Sequence, residues 1–354
     1  MRNTCFFINT LNAAGGTQRV LTTLANLLVK NYNVSIIVLD EREPFFNLNK
    51  DVNLERIIID SSNKISSLFE LNIKIYRFLK LIQCDYYISL DSNSVLMQGF
   101  FLPKKTKLIV WEHFSLSKNF NKIFYRLSRY YASKRAYRFV LLSKQEIRDW
   151  TKQYKIPVSK TKLIYNPITI EEIHGRNEMD LYANKKVLAI GNNIYVKGFD
   201  MLLLAWSLLD EKGWTLEIVG LSKEELDKAK KIVHNYQFKN EVILSGKITN
   251  ITAKYIASSI YCLSSRMEAT PLVLIESQFI GLPAIIFDNC EGPIELLKDS
   301  GIVVKYKNVI KYKEAIESLI NSKKLYNKYS QNAKKNSLRF SKVEFYNKWK
   351  EILN

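Results

Sequence analysis

Two glutamates eight positions apart, Glu268 and Glu276, bracket a marked helix start in the run from Ser264 to Ser277. Thr270 is a good N-cap and Pro271 suits the first helical position. The backbone N–H groups of Leu272 and Val273 are therefore expected to stand at the positive end of a helix dipole, where an anion belongs. Glu268 in the loop and Glu276 on the helix would accept hydrogen bonds from hydroxyls on either side of that anion. Hydroxyl, phosphate, hydroxyl describes a nucleotide sugar.

Three further stretches carry chemistry. Asn12 to Val20 holds Gly15 and Gly16 between a strand and a helix, a turn that lets backbone amides approach a phosphate, although a plain tight turn has the same composition. Val110-Trp111-Glu112-His113 ends a strand, which puts His113 where α/β sites form; a satisfied structural histidine is the ordinary alternative. His113, His174 and His234 are the three histidines of the chain. Ala189 to Asp200 again reads strand, loop and helix start, with Lys197 beside Gly198 as a point charge for a diphosphate or as an exposed loop lysine. No D-x-D pair occurs, so dipoles and cations rather than a clamped metal are expected to hold the diphosphate, with no metal and no cofactor besides the nucleotide-sugar substrate.

The elements that must position these residues alternate in a regular way. Short β-branched and aromatic runs separate longer segments of helical period, the pattern of parallel sheets with covering helices. The first series comprises 4–9, 34–39, 54–59, 85–90, 107–111, 139–142 and 162–165. The second comprises 186–190, 216–219, 242–245, 260–263, 284–287 and 302–304. At 354 residues the chain exceeds the usual size of one core. The series change at Asn166-Pro167, where proline disfavours helix at the residue before it. Domains over 1–166 and 167–339 follow, with a last helix within 340–354 carrying Phe345, Trp349 and Ile352. Ligands of such sheets collect beyond the carboxyl ends of the strands, so two facing domains would enclose a cleft.

Bulk properties narrow the partners. A net charge of +19 invites polyanions, yet no nucleic-acid signature is present, and a general lysine bias accounts for much of the total. From Lys118 to Arg138 seven basic residues run without an acid and interleave with Phe120, Phe124, Leu127, Tyr130 and Tyr131. Such a segment can lie on an anionic membrane surface or simply pack its aromatic side on a core. No run approaches the roughly 18 apolar residues that span a bilayer. Met1 to Ile8 reads as a first buried strand rather than a signal peptide. The scattered Cys5, Cys84, Cys262 and Cys290 are expected to be reduced thiols of a cytoplasmic protein, attached at most peripherally to the inner membrane face.

In their order along the chain these motifs resemble the retaining GT-B glycosyltransferases of the large GT4 group. The resemblance rests on the Gly15-Gly16 loop, Glu112-His113, Asn166-Pro167, Lys197-Gly198-Phe199-Asp200, the E-x7-E pair, Gly281-Leu282-Pro283 and Gly292-Pro293. It implies an α/β GT-B fold of two Rossmann-like domains facing across a cleft, with the last helix crossing back onto the first domain. It also implies that Glu268 contacts the transferred sugar and Glu276 the ribose. Lys197 and the amides near Thr270 to Val273 would neutralise the diphosphate, Gly16 would approach the phosphate and His113 would lie beside the sugar. Where the family usually carries arginine after the strand glycine, this chain has Asn192, so either Arg266, Lys247 or another base compensates or activity is reduced. The implied reaction moves a hexose or N-acetylhexosamine, with a UDP-sugar favoured, to a saccharide acceptor, a lipid-linked one suiting the basic aromatic segment. A non-catalytic GT-B partner subunit and a GT-B nucleotide-sugar epimerase are the rival readings.

Overall fold

The computed structural model describes every residue except 61–62, 115, 117–122, 172, 174, 176–178 and 211–212. His174, Lys118, Phe120 and Lys122 thus lie outside the described residues. The chain divides into two compact units, Met1–Thr169 with Lys342–Asn354, and Ile170–Ser341.

The first unit runs β1 (Asn3–Phe7), α1 (Gly16–Leu28), β2 (Asn33–Val38), β3 (Asn53–Arg56), α2 (Lys64–Leu81), β4 (Tyr86–Ser89), α3 (Val95–Gln98), β5 (Lys107–Trp111), α4 (Ile123–Arg135), β6 (Arg138–Leu141), α5 (Lys144–Tyr154) and β7 (Thr161–Leu163). The strands form one sheet in the order β3-β2-β1-β4-β5-β6-β7, with parallel pairing throughout. A parallel sheet is covered on both faces, so its central strands read as unbroken apolar runs. All four residues of β4 are buried accordingly, and α1 buries Val20, Leu21, Leu24, Ala25 and Leu28 at helical spacing.

The second unit repeats the plan with β8 (Lys186–Ile190), α6 (Ile194–Lys197), α7 (Phe199–Ser207), β9 (Thr215–Leu221), α8 (Lys223–Asn235), β10 (Glu241–Gly246), α9 (Ile251–Ile256), β11 (Ile260–Leu263), α10 (Leu272–Ile280), β12 (Ala284–Phe287), α11 (Glu291–Leu297), β13 (Gly301–Val304), α12 (Val309–Asn321) and α13 (Lys323–Ser337). Its sheet order is β10-β9-β8-β11-β12-β13, again parallel. The order reverses between β8 and β11, and at such a switch point a crevice opens outside the strand ends. Each observed strand overlaps one of the thirteen runs expected from the sequence. A buried amide braces α10 from behind: Asn336 on α13 donates to the side chain of Gln278 on α10 and, at 2.7 Å, to the carbonyl of Leu296 on α11.

The last helix, α14 (Lys342–Leu353), belongs to the first unit. Its fully buried Trp349 meets Trp111 edge to face at 4.8 Å between ring centroids. Arg2 donates to the carbonyl of Leu353 at 2.7 Å, and the Tyr32 hydroxyl to Asn354 Oδ1 at 2.9 Å. Trp111 ends β5 just before Glu112 and His113, so α14 supports that strand end from one side. Trp349→Ala should cost about 3–5 kcal/mol, as for other buried tryptophans cut to alanine, measured by denaturant unfolding; a loss under about 1 kcal/mol would contradict this packing role.

Candidate functional site

In the second unit the loops after β8, β11 and β12 converge. Lys197 closes the single turn of α6, and its Nζ donates to Glu268 Oε1 at 2.6 Å. The Ser265 hydroxyl donates to the same oxygen at 2.8 Å. No acceptor or donor for Glu268 Oε2 is found among the described residues. The Glu268 N–H points to Cys290 Sγ at 3.4 Å, and Asn289 donates to the carbonyls of Arg266 and Ser265 at 2.8 and 3.3 Å, so the loop after β12 fixes the loop after β11.

Two glycines make the pairing possible. Gly198 has φ of +63°, and a Cβ there would stand 2.0 Å from the Ser264 carbonyl oxygen. That left-handed turn lets the Ser264 hydroxyl reach the Lys197 carbonyl at 2.8 Å. Gly191 ends the neighbouring strand, and a Cβ there would meet Lys197 Cγ at 2.4 Å. The lysine stem therefore lies flat over a position without a side chain.

Helix α10 begins one residue later than expected. Pro271, not Thr270, is the N-cap, because its ψ of 120° is extended and the first helical residue is Leu272. Thr270 is buried one residue outside the cap. The consequence for the amides is unchanged: Leu274 N–H turns back to the Pro271 carbonyl at 3.2 Å, while those of Leu272 and Val273 have no acceptor among the described residues. Glu276 is buried, and Tyr255 donates its hydroxyl to Glu276 Oε2 at 2.9 Å.

Arg266 is held away from this centre. Its guanidinium forms a two-pronged pair with Asp200 at 2.7 and 2.6 Å and stacks on the Tyr195 ring at 4.2 Å. Its N–H donates to the Val196 carbonyl at 2.9 Å. It ties the loop after β11 to α6 instead of offering its fork to a ligand. Asn192 is exposed, and Lys247 is exposed just past β10.

In the first unit, α1 starts at Gly16 behind the N-cap Gly15, whose backbone is extended. His113 packs at a tilt against Trp111, 4.5 Å between centroids, and its Nε2 is buried without a partner among the described residues. Burial pulls its pKa down to about 3, so the imidazole is neutral and cannot serve as a cation. Beside it Glu112 is fully buried; it accepts the Ser92 N–H and the Phe114 N–H, each at 3.2 Å, and the Ser92 hydroxyl. Burial first, then the charge of Asp91, pushes Glu112 up to about 7.

Asn289, Ser265 and Tyr255 take part without a role expected for them from the sequence, and Asp200, named there only within a motif, proves to be the partner of Arg266. Asn289 follows β12 directly, so the rule that places ligands beyond strand ends points to it. Ser265 bonds Glu268 three residues on, whereas Tyr255 and Asp200 meet partners 21 and 66 positions away. Among the described residues no cluster of His, Cys, Asp and Glu could hold a metal ion.

The two parallel sheets share their strand order over six strands, and at the switch point of the second stand a helix start with two open amides and a lysine–glutamate pair. Residues 14–172 match the family described as Glycosyltransferase Family 4, and residues 173–336 that described as Glycosyl transferases group 1. The chain belongs to the glycosyltransferases. It is 30% identical to an uncharacterized glycosyltransferase of Haemophilus influenzae, with 100% of each chain covered. It is also 30% identical to the amylovoran biosynthesis glycosyltransferase AmsD of Erwinia amylovora, with 98% of each covered. A third relative, 29% identical over 100% of this chain and 98% of its own, is an alpha-1,4-N-acetyl-D-galactosaminyltransferase of Campylobacter jejuni. Among solved structures, S. aureus TarM superimposes with a TM-score of 0.82 at 13% identity, and Anabaena HepE in complex with UDP-glucose with 0.78 at 16%. Both alignments cover 100% of this chain and 99% of the other, and they establish a shared GT-B fold.

Glu112 and His113 set opposite pH slopes. Folded Glu112 keeps its proton to about pH 7 while the unfolded group releases it near 4.5, so its contribution to stability falls as pH rises through that window. Folded His113 stays neutral to about pH 3 while the unfolded ring gains a proton below 6.5, so its contribution falls as pH drops from there. Glu112→Gln removes only the first slope. Between pH 4.5 and 7 the wild type should lose about 3 kcal/mol of stability relative to the variant, read by denaturant unfolding across pH; a constant difference would contradict the protonated buried carboxyl.

Proposed function

We propose that the chain transfers a hexose or N-acetylhexosamine from a UDP-sugar, with retention of configuration, to a saccharide on a lipid-linked acceptor in bacterial surface polysaccharide or glycan synthesis. The observation that carries the donor site is the asymmetry of Glu268. One of its oxygens is occupied by Lys197 and Ser265, and the other has no partner among the described residues. That open oxygen is offered to a sugar hydroxyl, while Lys197 keeps further N–H groups for a diphosphate.

The leaving diphosphate gains negative charge in the transition state. Groups already aimed at it stabilise that charge without reorganisation, which is the source of rate. The Leu272 and Val273 amides and Lys197 supply them. Glu276, oriented by the Tyr255 hydroxyl, is assigned to the ribose, with Asn192 at the donor loop. No side chain is cast as nucleophile: the departing phosphate oxygen takes the acceptor's proton on the face where the new bond forms.

The relatives support the acceptor class. One is named for amylovoran biosynthesis, and two Campylobacter jejuni relatives are named as N-acetylgalactosaminyltransferases acting on undecaprenol-linked saccharides. HepE supports the donor class through its UDP-glucose complex.

Lys197→Ala and Glu268→Ala should each lower transfer by roughly tenfold to a thousandfold, the range for a lost charge-stabilising contact. The assay is a UDP-sugar panel with undecaprenol-linked acceptors, the product's anomeric configuration being read by NMR. Unchanged turnover in both variants overturns the site. An inverted product overturns the retaining route, and an inert wild-type chain favours the non-catalytic subunit.

A further inference from the structure

Helix α2 hides one face and leaves another bare. Leu71, Ile75, Phe78 and Leu79 are buried in the core, whereas Ile65, Phe69, Ile73 and Tyr76 recur on the opposite side, Phe69 being 56% exposed. Apolar residues normally spend such spacing on the core. A shallow groove runs along this face beside Lys74 and Arg77.

The strip does not end with α2. Asn72 on α2 accepts the Phe100 N–H at 2.9 Å and donates to the Met97 carbonyl at 2.7 Å, which fastens the turn after α3 to the helix. That turn exposes Phe100 and Phe101, whose rings pack edge to face at 4.9 Å. Phe100 stacks on Tyr131 of α4 at 5.3 Å, and the Tyr131 hydroxyl donates to the Phe100 carbonyl at 3.0 Å. On α4, Ile123, Leu127 and Tyr130 are exposed at successive turns, Leu127 at 54%. One apolar band therefore crosses α2, the 100–101 turn and α4. A contiguous patch of this kind marks an interaction surface, unlike scattered single residues.

The charge around it is mostly positive. Arg77, Lys80, Lys104, Lys105, Arg126, Lys134 and Arg135 are exposed along the band. In α2, the stretch 99–106 and α4 the single acid is Glu70; Lys74 pairs with it at 2.6 Å and with Asp60, which precedes α2, at 3.1 Å. Arg129, part of the basic run expected to face outward, is instead buried and donates to the Leu116 carbonyl at 2.7 Å. Among the described residues no helix is long and apolar enough to cross a membrane.

We propose that this band, formed by α2, the Phe100-Phe101 turn and α4, is a docking surface for an anionic lipid bilayer. Its aromatic and aliphatic tips enter the headgroup boundary and its lysines and arginines sit over anionic headgroups. The proposal deepens the reading of a lipid-linked acceptor, which it rests on for its purpose though not for its geometry. It also moves the centre of attachment from the 118–138 run to α2 and the turn.

The test is sedimentation of the full chain with vesicles of phosphatidylglycerol and phosphatidylcholine, against vesicles of phosphatidylcholine alone. Wild-type protein should bind the first, bind the second at least about tenfold more weakly, and be released by salt. Phe69→Glu with Leu127→Glu should reduce binding at least about tenfold. Arg126→Gln with Lys134→Gln should reduce it by about fivefold per charge. Melting temperature and UDP binding, both independent of this face, should be unchanged in either variant. Equal binding of wild type and variants overturns the surface. So does a wild-type dimer that the Glu variant dissolves, with no vesicle binding, since the band would then cover a second copy. Transfer to a detergent-solubilised acceptor without vesicle binding defeats the docking surface alone; vesicle binding lost in the variants, with no transfer by the wild type, defeats the functional reading alone.

Discussion

A lysine stem lying across a glycine holds the centre of the second unit together. Lys197 reaches Glu268 because Gly191 leaves room beneath it and Gly198 turns left-handed against the Ser264 carbonyl. The pair in turn fixes where the loop after β11 stands relative to the start of α10. Arg266, with Asp200 and Tyr195, ties the same loop to α6 from its other side. A charged pair this close repays its desolvation only when its geometry is kept, and these loops keep it.

The parallel sheets supply the frame. Every strand of a unit ends its carboxyl side on one edge, so loops distant in sequence meet there without any strand bending toward them. Bracing from outside the edge then matters: Asn336 fastens α10 and α11 to α13, and Trp349 supports the end of β5 that carries Glu112 and His113. The first unit's edge is acidic and buried, with a neutral imidazole. The second unit's edge carries the Lys197–Glu268 pair and the open amides of Leu272 and Val273. That contrast suits a division in which the second unit meets phosphate, and it follows from local burial and helix ends alone.

Much of this was legible in the chain. Strand-length runs overlap all thirteen strands, the central ones apolar because parallel strands are covered on both faces, and Gly15-Gly16 marks the start of α1, although Gly15 has an extended φ of −94° that other residues also adopt. The helix start at α10 was legible to within one residue; Pro271 keeps an extended ψ, which its residue type does not determine. Partnerships across 66 or 71 positions, Arg266 with Asp200 and Lys197 with Glu268, were not legible. Composition names a cation and an anion but not which of them meet. Arg266 therefore reads from composition as a phosphate ligand, whereas its fork is paired with Asp200. The exposed strip of α2 escaped notice for a related reason, since periodicity shows two apolar faces without showing which is covered.

The central claim is that the Leu272 and Val273 amides, with Lys197, hold a diphosphate. Hydrogen exchange of the segment spanning residues 268–276 tests it most directly. UDP and a UDP-sugar should slow exchange at the first two amides of α10 by at least roughly tenfold, and uridine, which lacks phosphate, should leave them unchanged. Exchange that is indifferent to all three ligands while UDP binds elsewhere would contradict the account.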